Sequence, residues 1–115
     1  MTSAEAKKGN DTIQGILSLY DTNVRVLFDT RSTRSFVAPR VVCHIPVPKT
    51  LLPYYLIVST LGDAKLMGSE VYRDCKIKVH DKVLSGNLIV LNIKDFDLIL
   101  GMDWLFKNFG KVNCR

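Results

Sequence analysis

Apolar residues in this chain come in short blocks, mostly at every second position, with turn-forming residues between them. Ile13–Tyr20 and Val24–Phe28 flank Asp21-Thr22-Asn23, so the three pieces predict a hairpin. Ser35-Phe36-Val37 predicts a brief extended piece, and Pro39–Cys43 a single helical turn with proline at its start. Pro46, Pro48 and Pro53 exclude an interior strand or helix between His44 and Pro53, which predicts an extended surface connection. Tyr54–Thr60 is aromatic and β-branched, hence a strand; Leu61-Gly62-Asp63 turns, and Ala64–Met67 returns antiparallel. From Val71 to Val79 the alternation has period two with one wetter face. His80-Asp81-Lys82 turns, and Val83–Leu91 supplies one or two strands around Gly86. Asp97–Leu100 is a short strand ending at Gly101, Met102–Asn108 is a helix closed by Gly110, and Lys111–Cys114 is a terminal strand. The pattern as a whole predicts an all-β domain of many short strands with one C-terminal helix.

At 115 residues the chain is one domain's worth. Residues 1–12 are polar and aperiodic, a flexible leader, which leaves residues 13–115 as the domain. Hydrophobic content of 47% with 23% charged residues argues against disorder. A net charge of +5 permits an anionic partner, but the 16 Lys and Arg are scattered, so a nucleic-acid footprint is the weakest reading. Even Arg25, Arg31, Arg34 and Arg40 fit a solvated face. Cys43, Cys75 and Cys114 form no C-x-x-C pair, and His44 and His80 lack zinc-ligand spacing to them. Reduced thiols, surface histidines, no metal and no cofactor are expected. Residues 1–11 hold no apolar segment, and no run approaches the ~20 apolar residues that span a bilayer, so no membrane partner and an intracellular location are expected. Trp104 and Phe106 are expected in the core, Tyr54-Tyr55 half-buried, and Asp103 at a helix start where the dipole favours a carboxylate.

The chemistry gathers in Val24–Arg40, VRVLFDTRSTRSFVAPR. Asp29 directly follows an apolar strand, where an ionised carboxylate must be hydrogen-bonded, paired or functional. Val26-Leu27-Phe28-Asp29-Thr30-x-Ser32 resembles the hydrophobic-hydrophobic-Asp-Thr/Ser-Gly-Ser/Ala signature of retropepsin-type aspartic proteases, with Arg31 in the glycine's place. Asp97–Leu105 is similar to the I-L-G-x-D-W-L segment of proteases encoded by gypsy-class long-terminal-repeat retrotransposons, particularly those of plants. Val58-Ser59-Thr60-Leu61-Gly62 with Gly68 resembles the family's flap hairpin. Together the matches run from about Ile13 to Cys114.

The resemblance implies a closed acid-protease β-barrel in which a strand and then the helix pass beneath a catalytic loop. It also implies general acid–base catalysis by two carboxylates sharing one proton, because a pair about 3 Å apart cannot both ionise cheaply. Asp29 alone has the required context; Asp21, Asp63, Asp74, Asp81, Asp95, Asp97 and Asp103 lack it. The second carboxylate must then come from a second copy, which makes a homodimer a chemical requirement. By the same resemblance Asp29 is the catalytic carboxylate, Thr30 bonds across the two-fold axis, and Ser32 holds the outer oxygen of Asp29. Leu61-Gly62-Asp63 would close over an extended polypeptide added as a strand, a polyprotein segment with apolar side chains at the cleavage point. Arg31 would strain a loop built for glycine. Its guanidinium, beside the carboxylates, would favour their ionised forms. The expected function is an aspartic endopeptidase domain processing a retrotransposon polyprotein, in the cytoplasm or a retrotransposon particle, impaired by Arg31. The alternative is a non-catalytic retropepsin-like dimerisation or peptide-binding module.

Overall fold

The computed structural model describes residues 12–59 and 65–110. The first two strands, β1 (Thr12–Leu19) and β2 (Thr22–Asp29), pair antiparallel from Leu19↔Thr22 to Thr12↔Asp29. Their turn is Tyr20-Asp21, both left-handed at φ 48° and 67°, one residue earlier than composition predicts. Two consecutive left-handed residues match the twist of a two-residue hairpin. Then come β3 (Phe36–Val37), a 3₁₀ turn (Pro39–His44), β4 (Lys49–Ser59) and β5 (Lys65–Val79). The chain ends in β6 (Lys82–Val90), β7 (Leu98–Leu100), and an α-helix Met102–Leu105 that widens into a π turn over Phe106–Gly110.

Six strands close into a barrel in the order β1-β2-β7-β3-β6-β5, sealed by Ser18↔Lys78 and Leu19↔Ile77 between β5 and β1. Closure removes the unpaired edges that an open sheet would present. Strand β7 sits inside this ring, parallel to β2 (Val26↔Leu98 to Phe28↔Leu100) and antiparallel to β3 (Phe36↔Ile99, Val37↔Leu98). The core follows the period-two pattern: Val24 and Val26 are buried while Arg25 between them is exposed. Leu88, Leu98, Leu100, Ile77 and Trp104 complete it. Gly86 makes room for the indole, since a Cβ there would lie 3.1 Å from Nε1 of Trp104 and nearer still to Cδ1.

Outside the ring β4 pairs only with β5, and here the structure departs from the sequence pattern. The stretch read as a connection up to Pro53 is already strand from Lys49. Pro53 falls in the register break between Leu51 and Leu56 of this outer strand, where its missing N–H removes no ladder bond. The described part of Ala64–Met67, from Lys65, and Val71–Val79, read as separate pieces, belong to the single 15-residue β5. That strand bends at a bulge between Tyr72 and Cys75, where Asp74 is left-handed at φ 56° and donates its N–H to Asn87 Oδ1 at 3.0 Å. Tyr54 and Tyr55 are exposed rather than half-buried, and Phe106 is 64% exposed while Trp104 alone enters the core. His44, His80 and Cys43 are exposed; Cys75 is buried and unbonded to another cysteine. Residues 1–11 of the leader, the Leu61-Gly62-Asp63 turn and Lys111–Cys114 lie outside the described residues, while Thr12, read as the leader's last residue, already opens β1. No helix among the described residues is long and apolar enough to cross a membrane.

Candidate active site

Asp29 is the last residue of β2, so the strand delivers its carboxylate to the start of the loop that leads to β3. The barrel fastens that loop from below. Ser32 N–H donates to Asp29 O at 3.1 Å and closes the turn. Met102 N–H donates to Ser32 O at 2.7 Å, and Gly101 N–H donates to the Ser35 hydroxyl at 3.0 Å. Ser35, fully buried, donates in turn to Asp103 Oδ1 at 2.7 Å, and the same oxygen accepts Trp104 N–H at 2.7 Å. Asp103 thus stands at the helix start, as its dipole argument required, and also ties the helix to the loop. Gly101 is where helix and loop come closest, since a Cβ there would lie 2.6 Å from Ser32 O and closer to Arg34 O.

The backbone N–H of Arg31 donates to Asp29 Oδ1 at 2.9 Å. Ser32, expected to hold an oxygen of Asp29, instead donates its hydroxyl to Arg34 O at 2.7 Å. One hydroxyl has one proton, so the amide of Arg31 holds the carboxylate. Thr30 is exposed on the loop. The expected backbone strain at Arg31 is not found: among described non-glycine residues only Tyr20, Asp21, Asp74 and His80 have positive φ. Its side chain, 67% exposed, places Nε 3.8 Å from Asp29 Oδ1.

A cavity of about 690 Å³ is lined by Asp29, Arg31 and Ser32 of the loop, by Leu27 and Ile99 of β2 and β7, and by Val58, Ser59 and Leu66 of the β4–β5 hairpin. Ile93 and Phe96 line it as well. The structure therefore brings together the carboxylate, its loop and the base of the hairpin, while the hairpin tip Leu61-Gly62-Asp63 lies outside the described residues. Sequence reasoning passed over Ser35, whose only signal was a hydroxyl placed directly before a buried strand. It also passed over Asp97 and Arg40, discussed below.

A carboxylate set by a strand end on a loop, pinned by a strand and a helix start, at the side of an apolar groove under a hairpin, is half of an aspartic-protease-type site. The family model described as retroviral aspartyl protease matches residues 1–115, and the chain belongs to this family. EIAV protease, solved with the inhibitor HBY-793, is similar over 96% of this chain and 94% of its own, at 18% identity and TM-score 0.66. The retroviral protease-like domain of Ddi1 from Leishmania major is similar over 86% and 78%, at 12% identity and TM-score 0.61. At such identities the likeness is one of fold, the retropepsin-like barrel, which occurs in viral and cellular settings alike. No curated protein sequence matches the chain.

Proposed function

We propose that this chain is the protease domain of a gypsy-class, plant-type retrotransposon polyprotein, whose copies pair at the Asp29 loop to cleave extended, apolar polyprotein segments, and that Arg31 suppresses the hydrolysis. The observation that carries the reading is the Asp29 carboxylate at the groove, held by a backbone N–H. One carboxylate serves as base or as acid, not both, so the paired copy supplies the complement. The ionised Asp29 takes a proton from water as that water's oxygen bonds to the scissile carbonyl carbon. The protonated partner carboxyl gives its proton to the carbonyl oxygen. As the resulting diol collapses and the C–N bond breaks, one hydroxyl proton returns to the partner carboxylate and the proton held by Asp29 leaves on the amine. No cofactor enters, and the cytoplasm or a retrotransposon particle is the setting.

Arg31 opposes this cycle through its side chain. Each guanidinium stands 3.8 Å from its own carboxylate and lines the groove, so two paired loops bring two cations and two long side chains to where the substrate must lie. The same observation favours a second reading, in which the groove binds peptide without cutting it. Cleavage of apolar decapeptides at mildly acid pH separates the two. Arg31→Gly is expected to raise turnover by roughly a hundredfold or more, the scale of one well-placed electrostatic group. Asp29→Asn in that background should remove the gain. A dimeric Arg31→Gly protein that binds these peptides and cleaves none establishes the non-catalytic reading.

A further inference from the structure

One part of the groove wall is built without regular structure. Ile93–Asp97 follows β6 as an irregular segment, yet Ile93 and Phe96 both line the groove. Side chains on a loop define a surface only if the loop has one position. The carbonyls of this segment converge on one guanidinium: Arg40 donates to Ile93 O at 3.0 Å, to Lys94 O at 3.4 Å and to Phe96 O at 2.7 Å. Its Nε donates to Asp97 Oδ1 at 3.0 Å. The other oxygen, Oδ2, accepts Arg25 N–H at 2.9 Å, and Asp97 N–H donates to Arg25 O at 2.9 Å. Arg25 belongs to the strand that ends at Asp29, and its guanidinium carbon stands 5.4 Å from the centre of the Phe96 ring. Wall and catalytic strand are therefore one hydrogen-bonded unit, with Arg40 at its outer end.

We propose that Arg40 is a positioning residue for substrate selection: it fixes the Ile93–Asp97 wall so that Phe96 and Ile93 pack against a large apolar side chain of the bound peptide. The inference rests on the groove being a peptide site, as argued above. A planar fork reaching several acceptors is a property of arginine; lysine supplies the charge as a point and cannot bridge the same set. The alkyl stem alone supplies neither.

The test uses the unaltered dimeric chain alongside Arg40→Met, Arg40→Lys and Asp97→Asn, so that no single misfolded variant decides it. Two statine-centred hexapeptides, alike except for Phe or Ala flanking the statine, are titrated by calorimetry. Melting temperature, oligomeric state and amide exchange of residues 93–97 are measured in parallel. The unaltered chain should prefer the Phe peptide. Arg40→Met and Arg40→Lys should each shrink that preference roughly tenfold, the equivalent of one charge-assisted hydrogen bond, with faster exchange at 93–97. An equal loss for both peptides, or an unchanged preference, overturns the proposal while leaving the peptide site intact. If the unaltered chain binds neither peptide, the peptide-site reading and this inference fall together.

Discussion

Removing one oxygen atom tests whether the catalytic loop is held by the helix start. Ser35→Ala deletes a hydroxyl that is fully buried, accepts Gly101 N–H and donates to Asp103 Oδ1. The replacement is nearly the same size, so no cavity forms and the effect is purely one of hydrogen bonding. Gly101 is buried, and its N–H would be left without that acceptor at a cost of about 1–3 kcal/mol. The lost bond to Asp103 involves a carboxylate, but Asp103 is exposed and water replaces the donor, so it adds only about 0.5–1 kcal/mol. The sum is about 1.5–4 kcal/mol, or a melting point lower by roughly 6–20 °C for a domain of this size.

Urea titration at fixed protein concentration measures the loss without confusing folding with dimerisation. Asp103→Asn keeps an acceptor oxygen and should cost below about 1 kcal/mol. In a double-mutant cycle, Ser35→Ala and Asp103→Ala should couple by about 1 kcal/mol, because they share one bond. A Ser35→Ala loss under about 0.5 kcal/mol, the range of an ordinary surface change, would refute the loop-to-helix pillar.

Gly101→Ala should be worse than Ser35→Ala, since its Cβ meets the Ser32 and Arg34 carbonyl oxygens and backbone cannot step aside. A loss above about 3 kcal/mol, or no folded protein on expression, is expected. The two thiols among the described residues, Cys43 and Cys75, should also differ. Burial, reinforced by the charge of Asp74, pushes Cys75 up from 9.0 to about 12, whereas Cys43 is exposed. Iodoacetamide at pH 8 should label the Cys43 peptide within minutes and spare Cys75 until the protein unfolds, as read by peptide mass spectrometry. The raised value fixes the sign of its pH effect. Its contribution to stability is complete below pH 9 and is lost as the pH climbs towards 12, so Cys75→Ala should flatten the alkaline limb of the stability curve.

Alternation along β2 and the second half of β5 was enough to predict strands there, because which face a strand buries is encoded every second residue, whereas the closed barrel was implied only by the family resemblance. Asp29 was legible for a related reason: a carboxylate at the end of an apolar strand contradicts that pattern and calls for an explanation. What alternation does not encode is a partner far away in the chain. Ser35 meets Asp103 across 68 positions and Arg40 meets Asp97 across 57, so both pairs looked like ordinary polar residues. Pro53 misled in the opposite sense, since proline excludes an interior strand but not the bulge of an outer one. Arg31 is the most informative departure. Glycine at that place suggested a loop conformation that arginine would strain, yet Arg31 donates its N–H to Asp29 without a positive φ. The difference between a glycine and this residue is thereby reduced to a side chain whose guanidinium stands 3.8 Å from the carboxylate and lines the same groove.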